Sequence, residues 1–395
     1  MSSADSTIKP DFGSKTRHFI FTEEHEQLRE TIEKFCDKEL APHAEEWEKT
    51  TFPDSVFTRM GELGFLGLTM PEEYGGQGGD YFTSVVRAEA MSHSLSGGLN
   101  MGLAVQTDMT MPPILKFGSE EIKQRYLVPA IKGEKILCLG ITEPDAGSDV
   151  AAIKTRAVRD GDDYVINGSK VFITNGIRAD AIVLVTKTDD STGYEGFSLF
   201  VVDTDTPGFS VSRKLEKLGM HASDTAELAF TDMRVPAANM LGEEGKGFYN
   251  IMWELQGERL VAACGAVAGA QRCMEKTMDY ARERQAFGRP IGKFQSIRHK
   301  FAAMSSKIEA ARQFNYYVAW LVDRGDYPVR EISQAKLFAT QVACEAVDEC
   351  LQIHGGWGYM KEYGIERVWR DMRLNRIGAG TDEVMLDVIG RSYGF

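Results

Sequence analysis

The sequence predicts an α+β protein, mostly α, built in three consecutive parts. These are an N-terminal α-helical domain over 22–135, a middle domain of antiparallel strands, sheet or barrel, over 136–245, and a C-terminal helical bundle over 246–395, with residues 1–21 as a flexible tail. Three observations carry this reading. Apolar residues recur at helical intervals from Thr22 to about Ala130. Between Ile136 and Arg234 the period changes to β-branched segments punctuated by Gly, Asp and Pro. After Gly247 the helical period returns and runs almost to the end.

In the first part Leu28, Ile32, Phe35 and Leu40 fall at spacings that bring them to one helix face, and Pro42, Pro53 and Pro71 stand where helices end. In the middle part YVINGSKVFITNG carries Asn167-Gly168 and Asn175-Gly176, and the first pair has the composition of a two-residue hairpin turn. DAIVLVTKT, FSLFVVDTD and TAELAFTDMRVP continue the strand texture with no helix between them, which argues against a doubly wound parallel sheet. In the last part breaks at Gly288-Arg289-Pro290, Gly325-Asp326-Tyr327-Pro328 and Gly355-Gly356 separate long amphipathic helices, and helices of that kind form bundles.

Charge and composition remove several classes of function. A net charge of −13 over 395 residues, with no basic block, disfavours nucleic acid as a partner. The longest apolar run, Leu260 to Ala270, is far shorter than the roughly 20 residues of a membrane span, so a soluble protein is expected. The first twenty residues have neither the apolar region of a signal peptide nor the acid-free pattern of a transit peptide. The expected location is therefore the bacterial cytoplasm, with the mitochondrial matrix as the alternative if a leader was removed. The six cysteines form no CxxC, and Cys350 with His354 has no second pair to complete a zinc site, so reduced, mostly buried thiols and no metal are expected. GEEGKG at 242–247 lacks the spacing and the hydroxyl of a Walker loop, and no GxGxxG joins a strand to a helix.

Three stretches hold candidate chemistry. GITEPDAGSDVAA (140–152) is dense in small polar residues, and FITNG (172–176) puts an aromatic and a hydroxyl on a strand nearby, a suitable wall for a planar ring. QIHGGWGYMKEYGIERVWRD (352–371) breaks one helix with glycines before another begins. In LQGERLVAAC (255–264) an acid and an arginine precede small apolar residues, and on a helix Glu258 shares its face with Leu255, Val261, Ala262 and Gly265, with Arg259 about 100° away.

GITEPDAGSDVAA, QIHGGWGYMKEYGIERVWRD and RERQAFGRPIGKFQ (282–295) together resemble the acyl-CoA dehydrogenase family, in its order and at its separations, over about Phe21 to Arg391. The resemblance implies a helical domain, a β-barrel-like middle domain, a C-terminal four-helix bundle, flavin adenine dinucleotide (FAD) and a homotetramer. It implies flavin contacts at Ile141, Thr142, Phe172 and Thr174, where relatives often have Trp in place of Phe172, and a contact of Ser148 with flavin pyrophosphate or substrate pantetheine. It implies that Arg284, Phe287, Gln295, Gln352 and Gly356 grip the adenine half of a neighbouring subunit's flavin, with Thr381 and Glu383 near the adenine, and that Arg259 and Gly380 touch substrate. Many members carry the catalytic Glu directly before a Gly-Thr that here is Gly380-Thr381, but this chain has Ala379 there. In the long-chain and branched-chain branch the base lies on the bundle before an Arg, and Glu258 matches it within LGEEGKGFYNIMWELQGERLVAA (241–263).

The implied reaction is α,β-desaturation of an acyl-CoA to the trans-2-enoyl thioester. Glu258 takes the α proton, the Ala379 N–H polarises the thioester oxygen, the flavin takes the β-hydride, and electron-transferring flavoprotein accepts the electrons. Two other readings stay open: a flavin-dependent monooxygenase on the same fold, and a non-catalytic acyl-CoA-binding protein.

Overall fold

The computed structural model describes residues 18–189 and 194–394. Helix α1 (Glu23–Phe35) begins at a capping box, in which the Thr22 hydroxyl accepts from the His25 N–H and His25 Nδ1 accepts from the Thr22 N–H. Ile32, Phe35 and Leu40 enter a core with Trp47, Phe57 and Leu99, as the helical spacing predicts. Residues 1–17 of the expected tail lie outside the described residues. His18 and Phe21 of it are packed: the Phe21 ring meets Tyr316 at 5.1 Å and Phe82 at 5.9 Å, and His18 reaches Gln313 at 2.9 Å. Single aromatic contacts have no period, so the pattern of the sequence did not reveal them. Helix α2 (Tyr81–Ala90) follows, and then a helical run from Gly97 to Phe117 that is interrupted by a π turn over Val105–Thr110.

The middle domain is one eight-stranded sheet. Its strands are β1 (Leu137–Gly140), β2 (Arg156–Asp160), β3 (Asp163–Thr174), β4 (Ala181–Lys187), β5 (Phe197–Asp203), β6 (Phe209–Lys214), β7 (Thr225–Pro236) and β8 (Met240–Leu241), in the order β6-β7-β3-β2-β4-β5-β8 with β1 beside β4. The sheet folds over its own core, where Ile182, Leu184 and Phe200 meet Ile166, Leu228 and Phe230. Val183, Val185, Leu199 and Val201 on the other face pack against Tyr126 and Leu127 of the first domain. Burial on both faces explains the unbroken apolar runs of β4 and β5.

Two strand expectations are corrected. The sheet is barrel-like but not closed, because β6 and β8 are its ends, and β1 pairs with β4 in parallel, Leu137 opposite Ala181. The whole β2–β3 hairpin separates β1 from β4, and a connection of that length allows the parallel return. Asn167-Gly168 is also not a turn. β3 runs straight through it at a register shift, and the hairpin closes earlier, between Asp160 and Asp163, over Gly161 and Asp162. Asn167 instead clasps β7, its amide donating to the Asp232 carboxylate at 3.2 Å and its Oδ1 accepting the Asp232 N–H at 2.8 Å. Gly168 is required by close approach, since a Cβ there would stand 2.4 Å from Thr155 Oγ1.

The C-terminal domain has three long helices, α3 (Gly247–Glu283), α4 (Gln295–Asp323) and α5 (Val329–His354), separated at the predicted breaks. The shorter α6 (Ile365–Met372) and α7 (Asp382–Arg391) pack on α5, and α2 of the first domain packs on α3 and α4. Leu260 to Ala270 is the middle of α3, largely buried in the protein, and among the described residues no helix is long and apolar enough to cross a membrane. All six cysteines are free, and all but Cys344 are buried.

Gly168→Ala is expected to destabilise the fold by about 2–4 kcal/mol, as overpacking against backbone does. Gly161→Ala, which meets nothing within 4 Å but keeps a φ of +67°, should cost about 1–2 kcal/mol. Urea unfolding of the two variants checks the order.

Candidate active site

Helix α3 runs along the seam where the three domains meet. A cleft of about 1560 Å³ opens there, walled by Ile141, Phe172 and Thr174 of the middle domain, Met101 of the first, and Glu258 and Ala379 of the last. A second, narrower cavity of about 180 Å³ continues between α3, α6 and the start of the 97–117 run. Met101, Met109, Met220 and Glu258 belong to the walls of both, so Glu258 stands at their junction.

The middle-domain wall is fixed from beneath by a buried ion pair. Lys170 Nζ donates to Glu143 Oε1 at 2.9 Å and to the Ile141 carbonyl at 2.8 Å, and Glu143 also accepts the N–H groups of Lys154 and Thr155 at 2.7 and 3.0 Å. Burial pushes the Lys170 ammonium down to about 8, against the raising effect of Glu143. Burial also works against the Glu143 carboxylate, but Lys170 and the N–H donors outweigh it and hold its pKa below the usual range. One carboxylate thereby gathers residues 141, 154, 155 and 170 into a single edge. Two residues on, β3 shifts register between Lys170 and Ile173, and Phe172 adopts a φ of +63°, which leaves its ring 67% exposed on the cleft wall. Re-aiming one side chain in this way is what a strand irregularity accomplishes.

The opposite wall is held by two cations. Arg259 Nε donates to the Ala379 carbonyl at 2.9 Å, and Lys336 Nζ donates to the Gly380 carbonyl at 2.5 Å. Ala379 itself sits at φ +57°, and its N–H donates to no protein acceptor among the described residues. Thr381 then caps α7, accepting from the Val384 N–H at 3.3 Å. Arg259, expected among substrate contacts, lines the cleft but commits its Nε to this loop.

The Glu258 carboxylate makes no hydrogen bond or ion pair with any described residue. Burial raises its pKa to about 7; Arg259 and Lys336 lower it and Asp108 raises it further. Asp108 is itself paired with Arg87 at 2.6 Å in the wall of the narrow cavity. One turn earlier on α3, both Glu254 oxygens are buried with no hydrogen-bond partner among the described residues, and burial and then the Glu258 charge push that carboxyl up.

Of the residues singled out in the sequence, Ile141, Thr142, Ser148, Phe172, Thr174, Glu258, Arg259, Ala379, Gly380, Thr381 and Glu383 all line the cleft. Arg284, Phe287, Gln295, Gln352 and Gly356 do not; they lie exposed on the outer surface, with Phe287 95% exposed. Sequence reasoning missed Lys170, Lys336 and Glu254. In the sequence each looks like an ordinary solvated charge, and only burial distinguishes it.

The domain descriptions of one family match the whole assembly in order: "Acyl-CoA dehydrogenase, N-terminal domain" over 22–134, "middle domain" over 138–233 and "C-terminal domain" over 245–394. The chain belongs to the acyl-CoA dehydrogenase family. It is 42% identical to a probable acyl-CoA dehydrogenase of Bacillus subtilis (strain 168), over 95% of this chain and 99% of that one. The crystal structure of acyl-CoA dehydrogenase from Geobacillus kaustophilus superposes with a TM-score of 0.92 at 44% identity, covering 95% of this chain and 100% of that one. A glutaryl-CoA dehydrogenase from Mycobacterium smegmatis, solved in complex with FADH2, gives 0.89 at 30% identity over 94% and 95% of the two chains.

This family membership makes the chain an oxidoreductase acting on CH–CH bonds, with FAD as cofactor. The cleft suits that cofactor. An exposed aromatic ring stands at one wall, Thr142, Thr174 and Ser148 add polar groups to the same cleft, and the space is large enough for a dinucleotide.

Lys170→Met should loosen this wall by leaving Glu143 buried without its cation. The expected result is a lower flavin-to-protein ratio after gel filtration, with the far-UV circular dichroism of the helical domains retained.

Proposed function

We propose that this acyl-CoA dehydrogenase removes the α proton of a long-chain or branched acyl-CoA with Glu258, giving the trans-2-enoyl thioester. The observation that carries the reading is the unpaired Glu258 carboxylate at the junction of the cleft and the narrow cavity. A base for a weak carbon acid gains strength from desolvation and loses it to an ion pair, and Glu258 has the first without the second. FAD, when bound, supplies the acceptor for the β-hydride. The Ala379 N–H, with no acceptor among the described residues, is the donor for the thioester oxygen, where charge develops as the α proton leaves. Ala at 379 leaves that donor in place while vacating the side-chain position.

The narrow cavity supports the long-chain assignment. Val261, Ala262, Gly265 and Gly269 of α3 leave it open beyond Glu258, as an acyl tail requires. Arg284, Phe287, Gln295, Gln352 and Gly356, exposed here and remote from the cleft, fit contacts to the flavin of a second copy in a tetramer. Electron-transferring flavoprotein is the proposed acceptor of the electrons, on the family resemblance.

Glu258→Gln is expected to retain flavin and bind acyl-CoA while the rate of anaerobic flavin bleaching falls by about 10²–10⁴-fold. Unchanged bleaching would remove Glu258 as the base. Because the base must be ionised and its pKa is raised to about 7, the reduction rate should climb as pH rises through about 7 and fall as the carboxyl protonates below it. Stopped-flow reduction across that range reads the titration directly. A Cβ on Gly265 would come no closer than 3.7 Å to any neighbour, so Gly265→Leu directs its side chain into the narrow cavity. That variant should lose kcat/KM for hexadecanoyl-CoA while retaining it for butanoyl-CoA.

A further inference from the structure

The narrow cavity does not end on apolar residues. It begins at Glu258, passes the small side chains of Val261, Gly265 and Gly269, and ends among Arg272, Lys276 and Arg367. Arg272 and Lys276 are fourteen and eighteen residues beyond Glu258 on the continuous helix α3, roughly 21 and 27 Å along its axis. An extended acyl tail entering beside Glu258 therefore meets three cations at its far end.

These cations are poorly compensated. The Nε atoms of Arg272 and Arg367 are closed off from solvent and have no hydrogen-bond partner among the described residues. Arg272 has one ion pair, with Glu275 at 3.6 Å, and among the described residues no carboxylate stands within ion-pair distance of Lys276 or Arg367. Glu45 lies within electrostatic reach of Arg367, but it is exposed and pairs with Lys49 at 2.9 Å. Lys276 is exposed at the surface end of the cavity, and it shares that wall with Arg272 and Arg367. A hydrocarbon terminus seated there would desolvate them further and satisfy none of their donors. A carboxylate would accept from the arginine forks and offset the like-charge crowding.

We infer that the far end of this cavity recognises an anionic tail terminus, so that the preferred substrate is a long acyl-CoA bearing a carboxylate at its ω end. This rests on Glu258 marking the reacting end of the acyl chain. The carboxylate takes no part in bond making; it contributes binding and chain register.

The test uses the flavin-loaded Glu258→Gln protein, so that binding is read without turnover. Isothermal titration calorimetry compares hexadecanoyl-CoA with the mono-CoA thioester of hexadecanedioic acid. The dioic thioester should bind about tenfold or more tightly, as a charge-assisted contact gives, and added salt should shrink the difference. The mono-CoA thioester of octanedioic acid, too short to reach the cations, should show no advantage over octanoyl-CoA. Arg272→Met with Arg367→Met should erase the sixteen-carbon preference while hexadecanoyl-CoA still binds. Lys276→Met, at an exposed position, should weaken that preference even if the double variant fails to fold. Equal affinities in the parent, a preference that survives these substitutions, or failure of both long ligands to bind would each overturn the inference. Failure of the base assignment appears separately, as full flavin bleaching by Glu258→Gln.

Discussion

A half-buried carboxylate with no partner among the described residues is the constraint on which the site depends. Burial of an unpaired charge is costly, and a neighbouring cation is the usual remedy. Two cations are within electrostatic reach of Glu258, yet Arg259 and Lys336 donate to the carbonyls of Ala379 and Gly380 instead. Their charges keep the Glu258 pKa from rising further, and their hydrogen bonds go to the 379–380 loop, which carries the proposed thioester donor. The same two side chains thus bear on the proton affinity of Glu258 and on the position of the opposite wall.

Polar anchors and backbone strain divide the remaining work. Glu143 and Lys170 hold one edge of the cleft, and Arg87 and Asp108 stiffen the wall of the narrow cavity. Between these anchors the backbone leaves its preferred regions: Leu95, Phe172, Met220 and Ala379 all have positive φ and all line one cavity or the other. Strain of this kind persists where surrounding contacts over-determine the backbone, and it gathers where a side chain or N–H must face a ligand.

Legibility in the sequence followed the physical range of each signal. Ile32, Phe35 and Leu40 repeat with the helix period, so their burial in the first core could be read directly. Asn167-Gly168 was misleading because its composition suits both a turn and a strand irregularity; the choice was made by Thr155, thirteen residues upstream, and by Asp232 on β7. Glu258 could be singled out because Ala379 had vacated the usual base position and small apolar neighbours shared its helix face. Lys170 and Lys336 could not, since a buried lysine and a solvated one are written with the same letter.

The amino-acid sequence by itself determined the order of helices, sheet and helices, the family resemblance, and the presence of a carboxylate on α3 beside an Arg. All of these follow from local period or from short contiguous segments. Tertiary structure alone decided that Arg259 and Lys336 serve the 379–380 loop rather than Glu258, that the hairpin closes at Gly161, and that a cavity from Glu258 ends at Arg272 and Arg367. Each of these pairs residues far apart in the chain, and their distance and solvent access exist only once the helices and the sheet have packed.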